Sequence, residues 1–138
     1  MSQPASPPHR TLQPPGWAAP RGYANGVAAT GRQIFVAGMV GWDTQCRWVE
    51  TTLVGQVRQA LAHVVAVLAE GGARPEHIVR MTWYLRDKRD YLAQAREIGA
   101  AYREQLGRHF PAMTAVQVSD LIEDQALVEI EVTAVVPD

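Results

Sequence analysis

Ile78-Val79-Arg80-Met81-Thr82-Trp83-Tyr84-Leu85-Arg86 alternates along its length, with Val79, Met81, Trp83 and Leu85 on one side and Arg80, Thr82, Tyr84 and Arg86 on the other. A period of two is that of a strand with one buried face. Upstream the period changes. Leu53, Val57, Leu61, Val64 and Leu68 recur at spacings of three and four. That spacing predicts an amphipathic helix, capped by Thr51 or Thr52 and stopped by Gly71-Gly72. Downstream, Asp87 or Asp90 can cap a second helix with the stripe Tyr91, Ala95, Ile98, Tyr102 and Leu106, ended by Gly107 and Pro111.

Further out, Asn25 to Thr30 and Gln33 to Val40 are β-type runs flanking Gly31-Arg32, which predicts a hairpin. Two final strands are expected over Ala112 to Ser119 and Ala126 to Val136. The order ββαβαββ predicts an α+β fold, a two-layer sandwich with both helices on one face of one sheet. Residues 1–16 hold five of the nine prolines and almost no large apolar side chains, so they are expected to form a flexible tail before a single domain over 17–138.

In the last strand Val128, Ile130, Val132, Ala134 and Val136 share a face, and Leu127, Glu129, Glu131 and Thr133 share the other. The apolar set must meet the helices. The preceding strand is read with Thr114, Val116 and Val118 inward and Met113, Ala115, Gln117 and Ser119 on the open face. If these two strands pair, Met113, Ala115, Gln117, Glu129 and Glu131 line one surface. Such a face is either solvated or covered by another subunit, because adjacent glutamates on it repel unless hydrogen-bonded.

At 138 residues and 47% hydrophobic, the chain has the size of one domain with a core of its own. A formal net charge of −1 is not the electrostatic footprint of a nucleic-acid or anionic-membrane partner. Cys46 is the only cysteine, no apolar run reaches the roughly 18 residues of a membrane span, and no apolar leader follows Met1, so a cytoplasmic protein is expected. His9, His63, His77 and His109 are scattered without helix-spaced partners, which argues against a metal site, and no phosphate loop or dinucleotide fingerprint points to a cofactor. Trp42, Trp48 and Trp83 lack the basic stripe that accompanies a base-stacking platform.

Five segments in order carry a resemblance: Gly22 to Val27 with Tyr23, Ile34 to Gly38, Gln56 to Leu61, Pro111 to Val118, and Leu127 to Glu131. From about Gly16 to Val136 the chain resembles the RidA (YjgF) family of reactive-intermediate deaminases. The resemblance implies a chorismate-mutase-like fold with a mixed sheet, assembled as a homotrimer with clefts between subunits. It implies Glu129 as the catalytic group that positions water and carries a proton. Tyr23, Gly38, Tyr84, Met113 and Ala115 form the candidate substrate-binding set.

The chain also departs from the family pattern. Where deaminase members read Pro-Ala-Arg-Ser, with the arginine gripping a substrate carboxylate, this chain reads Pro111-Ala112-Met113-Thr114. Ala37, Met39 and Ala115 stand at positions that usually carry serine, glutamine and cysteine, and Leu121 to Glu129 is one residue longer, around Gln125. The substrate is therefore expected to be a small imine or enamine other than an ordinary 2-imino acid, with Arg21 or Arg80 as replacement cations. The alternatives are a non-catalytic trimeric metabolite-binding protein and an endoribonuclease or translation inhibitor, the last disfavoured by the neutral charge.

Overall fold

The computed structural model describes residues 8–138. Strands β1 (Arg10–Leu12) and β2 (Gly26–Ala28) precede the long β3 (Arg32–Val40). Helix α1 (Leu53–Glu70) and a single 3₁₀ turn at Pro75–His77 lead to β4 (Ile78–Leu85). Helices α2 (Lys88–Ala93) and α3 (Ala95–Leu106) then lead to β5 (Ala112–Gln117) and β6 (Val128–Val136).

Local chemistry explains the helix boundaries. The Thr52 hydroxyl accepts from the Gly55 N–H at 3.1 Å, and Gly71 closes α1. Asp87 accepts from the N–H groups of Arg89 and Asp90. The expected single second helix is broken at Gln94 into α2 and α3, and Gly107 ends it at φ 70°. Leu53, Val57, Leu61, Val64 and Leu68 are all buried, against Met81, Trp83 and Leu85 of β4 and the apolar face of β6.

Sheet topology corrects three expectations. The principal sheet is mixed, in the order β3-β6-β4-β5. β2 pairs with β1, and β3 pairs with β6, so the hairpin about Gly31 does not form. Gly31 instead lies so close to the Val136 carbonyl that a Cβ would collide with it. β5 does not neighbour β6: it runs parallel to β4, with Met81 opposite Met113 and Trp83 opposite Ala115. Residues directly opposite share a face, so Met113, Ala115 and Gln117 turn to the helix side and Ala112, Thr114 and Val116 to the open side, the reverse of the expected assignment. On this sparsely covered edge strand neither alternating set is strongly apolar, so periodicity could not choose the face.

The tail expectation also changes. Residues 1–7 lie outside the described residues, but Arg10–Leu12 pair antiparallel with β2, and the His9 ring donates to the His77 carbonyl at 3.2 Å. Backbone pairing needs no apolar content, which is why composition missed it.

One buried side chain ties the layers together. Gln56 on α1 donates to the Gln125 carbonyl at 2.9 Å and accepts from the Leu127 N–H at 2.7 Å, and it also donates to the Glu50 carbonyl at 3.2 Å. It therefore sets where the chain enters β6. Gln56→Leu leaves the Leu127 N–H and the Gln125 carbonyl without their partner and should cost about 2–4 kcal/mol, measured by denaturant unfolding at fixed protein concentration. Removing residues 1–12 deletes β1 and should lower the melting midpoint by roughly 2–6 °C, the equivalent of about 1 kcal/mol.

Candidate functional site

The candidate residues fall into two groups, one on the open face of the sheet and one at its β5 edge toward the helices. On the open face Glu129 of β6 lies opposite Tyr84 of β4 and Val40 of β3. A register shift between Val36 and Met39 bulges β3, and this brings Gly38 onto the Glu129 side chain. Any Cβ at residue 38 would run into the Glu129 carboxylate, so glycine is what leaves room for that carboxylate.

Glu131, two residues on, is engaged elsewhere. The Tyr84 hydroxyl donates to Glu131 Oε1 at 2.6 Å. This hydrogen bond to a carboxylate is the main reason the Tyr84 hydroxyl titrates above its ordinary value of 10.0, with desolvation and the charges of Glu131 and Glu129 adding to it. No side-chain hydrogen bond or ion pair holds the Glu129 carboxylate among the described residues. Phe35, 70% exposed, and Val116, 41% exposed, flank these polar groups on the same open face.

Tyr23, Met113 and Ala115 meet on the helix side, at the β5 edge. An isolated bridge between Ala24 and Ala112, with the Ala24 N–H donating to the Pro111 carbonyl at 3.0 Å, brings the N-terminal segment against β5. These three residues line a cavity of about 530 Å³. Aromatic rings make up much of its remaining wall. The Trp83 and Tyr91 rings meet edge to face at 6.2 Å, and Tyr102 stacks on Phe110 at 5.5 Å and 8°. Burial pushes the Tyr91 and Tyr102 hydroxyls up, and Tyr102 donates to the His109 carbonyl.

Both replacement cations lie near Met113, on different sides of it. Arg21 lines the large cavity, whereas Arg80 lines a smaller depression of about 190 Å³ with Tyr23, Asn25 and Thr114. Sequence reasoning missed Arg103 and Phe110, which also line the large cavity. A signal was present in the stripe Tyr91, Ala95, Ile98 and Tyr102. Its small Ala95, with Gly99 beside it, leaves the void into which those aromatic walls face.

The other candidates are local features. His63 contacts the Trp42 carbonyl and the Gln59 amide, and Cys46 is exposed. Among the described residues no three His, Cys, Asp or Glu side chains gather as a metal site, and no helix is long and apolar enough to cross a membrane.

Comparison with known proteins agrees with this architecture. The family model described as endoribonuclease L-PSP matches residues 15–136. A RutC family protein of Synechocystis is 34% identical over 130 residues, covering 93% of this chain and 95% of that protein. TdcF of Escherichia coli, a candidate reactive intermediate deaminase, is 29% identical over 91% of this chain and 93% of its own. A solved structure from the conserved Rid protein family of Yersinia pestis superposes with a TM-score of 0.80 at 30% identity, covering 94% of this chain and 99% of that one. With the mixed sheet, the helix layer and full-length relatives in agreement, the chain belongs to the RidA (YjgF) family.

Proposed function

We propose that the protein hydrolyses a small reactive imine or enamine in clefts assembled between copies of the chain in a homotrimer. The observation that carries this reading is the division of the candidate residues between two faces. Gly38, Tyr84 and Glu129 are on the open face, while Met113 and Ala115 are on the helix side and Tyr23 stands at the β5 edge. The sheet separates Glu129 from Met113 and Ala115 within one chain, whereas a second copy can present its open face to the first copy's cavity. The exposed Phe35 and Val116 give that face apolar surface for such a contact.

The chemistry needs little machinery. Water adds to the C=N carbon, a carboxylate takes the water proton and passes it to the nitrogen, and collapse of the carbinolamine expels ammonia and leaves a carbonyl. Glu129 suits this role because Glu131 is already occupied by the Tyr84 hydroxyl. Methionine at position 113 supplies no charge-assisted contact to a carboxylate beside the C=N carbon, so ordinary 2-imino acids are poor substrates. An RNA-cleaving role fits less well, because Glu129 and Glu131 on the open face repel phosphate.

Ammonia release from enzymatically generated imines tests the reading. The natural chain should show little hydrolysis of ordinary 2-imino acids. Met113→Arg should raise kcat/KM roughly ten- to hundredfold, the factor corresponding to a restored charged contact of about 1.5–3 kcal/mol. Glu129→Gln in that background should remove the gain. Inactivity of both forms as intact trimers favours a metabolite-binding protein, and a 15.2 kDa monomer in sedimentation at micromolar concentration removes the cleft altogether. In Glu131→Gln the Tyr84 ionisation should fall back toward 10.0, followed by the NMR shift of its ring carbon with pH.

A further inference from the structure

The cavity beside Met113 has a one-sided chemistry. Its charged lining consists of Arg21 and Arg103, with no aspartate or glutamate. Neither arginine is paired with a carboxylate among the described residues. Arg103 stands in the last turn of α3, where a cation complements the helix end, but its guanidinium is folded back over the preceding turn. Nη1 lies 3.2 Å from the point a Cβ on Gly99 would occupy, and Gly99 itself lines the cavity. A side chain at residue 99 would push that guanidinium off the cavity wall.

The Trp83 indole N–H is buried and has no hydrogen-bond acceptor among the described residues. Around the two arginines stand the faces and edges of Trp83, Tyr91, Tyr102 and Phe110. Flat apolar walls with cations and no anion select a flat apolar body bearing a negative charge.

We infer that this cavity binds an aromatic carboxylate, with Arg103 and Arg21 holding a carboxylate set several bonds away from the reacting carbon. The inference rests on reading the cavity as the substrate half of the cleft. It makes Met113 part of a relocated specificity: the charge has moved from the edge strand to α3 and the N-terminal segment, and methionine packs against the ring. The substrate class is then an imine or enamine with an aromatic body and a remote carboxylate, which an amine-oxidising or dehydrogenating reaction would supply from an aromatic amine whose carboxylate lies several bonds from the amine-bearing carbon, not from an α-amino acid.

Calorimetric titration of the assembled protein with indole-3-propionate and with its uncharged amide tests this without requiring turnover. The acid should bind at least about tenfold more tightly than the amide. Arg103→Met should weaken the acid by a similar factor and leave the amide unchanged, Arg21→Met should act in the same direction, and Arg80→Met should change neither. Ala95→Phe, which fills the cavity, should abolish binding of both while circular dichroism and sedimentation remain those of the natural protein. Equal binding of acid and amide, no binding of either, or loss of acid binding only in Arg80→Met overturns the inference. Acid binding that behaves as expected in a protein releasing no ammonia from any imine sinks the hydrolase reading alone. Imine hydrolysis with equal binding of acid and amide sinks this one alone.

Discussion

The buried amide of Gln56 is the contact on which the candidate site depends. It is a side chain on a helix that acts as a piece of backbone, donating to one carbonyl and accepting one N–H on either side of Ala126. The strand that follows is hydrogen-bonded on both edges, to β3 and to β4, so its register is shared by the whole sheet. A slip of one residue would exchange Glu129 and Glu131 for Val128 and Ile130 and place carboxylates in the core. An apolar residue at position 56 could fill the same space but could not hold that register. Beyond this clamp the alternation of β6 holds from Val128 to Ala134, after which Val135 is also buried.

The two glutamates of β6 are made unequal by their neighbours on adjacent strands. Glu131 has the Tyr84 hydroxyl of β4 within a short hydrogen bond, while Glu129 faces the bulge in β3, where glycine removes any side chain that would cover it. Two acidic residues with the same strand position modulo two thus acquire different chemistry. Their difference arises from cross-strand partners and from a bulge, neither of which belongs to β6 itself.

The helix-side cavity has a comparable origin. Parallel pairing of β5 with β4 turns Met113 and Ala115 toward α3, and the Ala24–Ala112 bridge brings Tyr23 and Arg21 to the same edge. The stripe of α3 that elsewhere fills the core thins to Ala95 and Gly99 at this point. What would be continuous packing becomes a space walled by rings. Methionine at position 113 is in keeping with this apolar surrounding, since a guanidinium there would need an anion that the surrounding wall does not provide.

Much of the architecture was legible from local pattern. The period of 3.6 over Leu53–Leu68 and of two over Ile78–Leu85 and Val128–Val136 is imposed by how side chains project from helix and strand, so the buried faces of α1, β4 and β6 follow from sequence. The caps at Thr52 and Asp87 and the ends at Gly71 and Gly107 follow for the same local reason. Which strands pair is a different matter, because hydrogen-bonding edges are chemically identical and alternation says nothing about the partner. Sequence therefore could not reveal that β1 takes β2, that β3 takes β6, or that β5 lies beside β4 in a register that turns Met113 and Ala115 inward. Tyr23, Gly38, Met113, Ala115 and Glu129 were identifiable as residues of interest through the family resemblance. Their division between two faces, and the company of Arg103 and Phe110 in the cavity, were settled only by tertiary structure, since long-range packing is what gives an edge strand with no strong apolar side its facing direction.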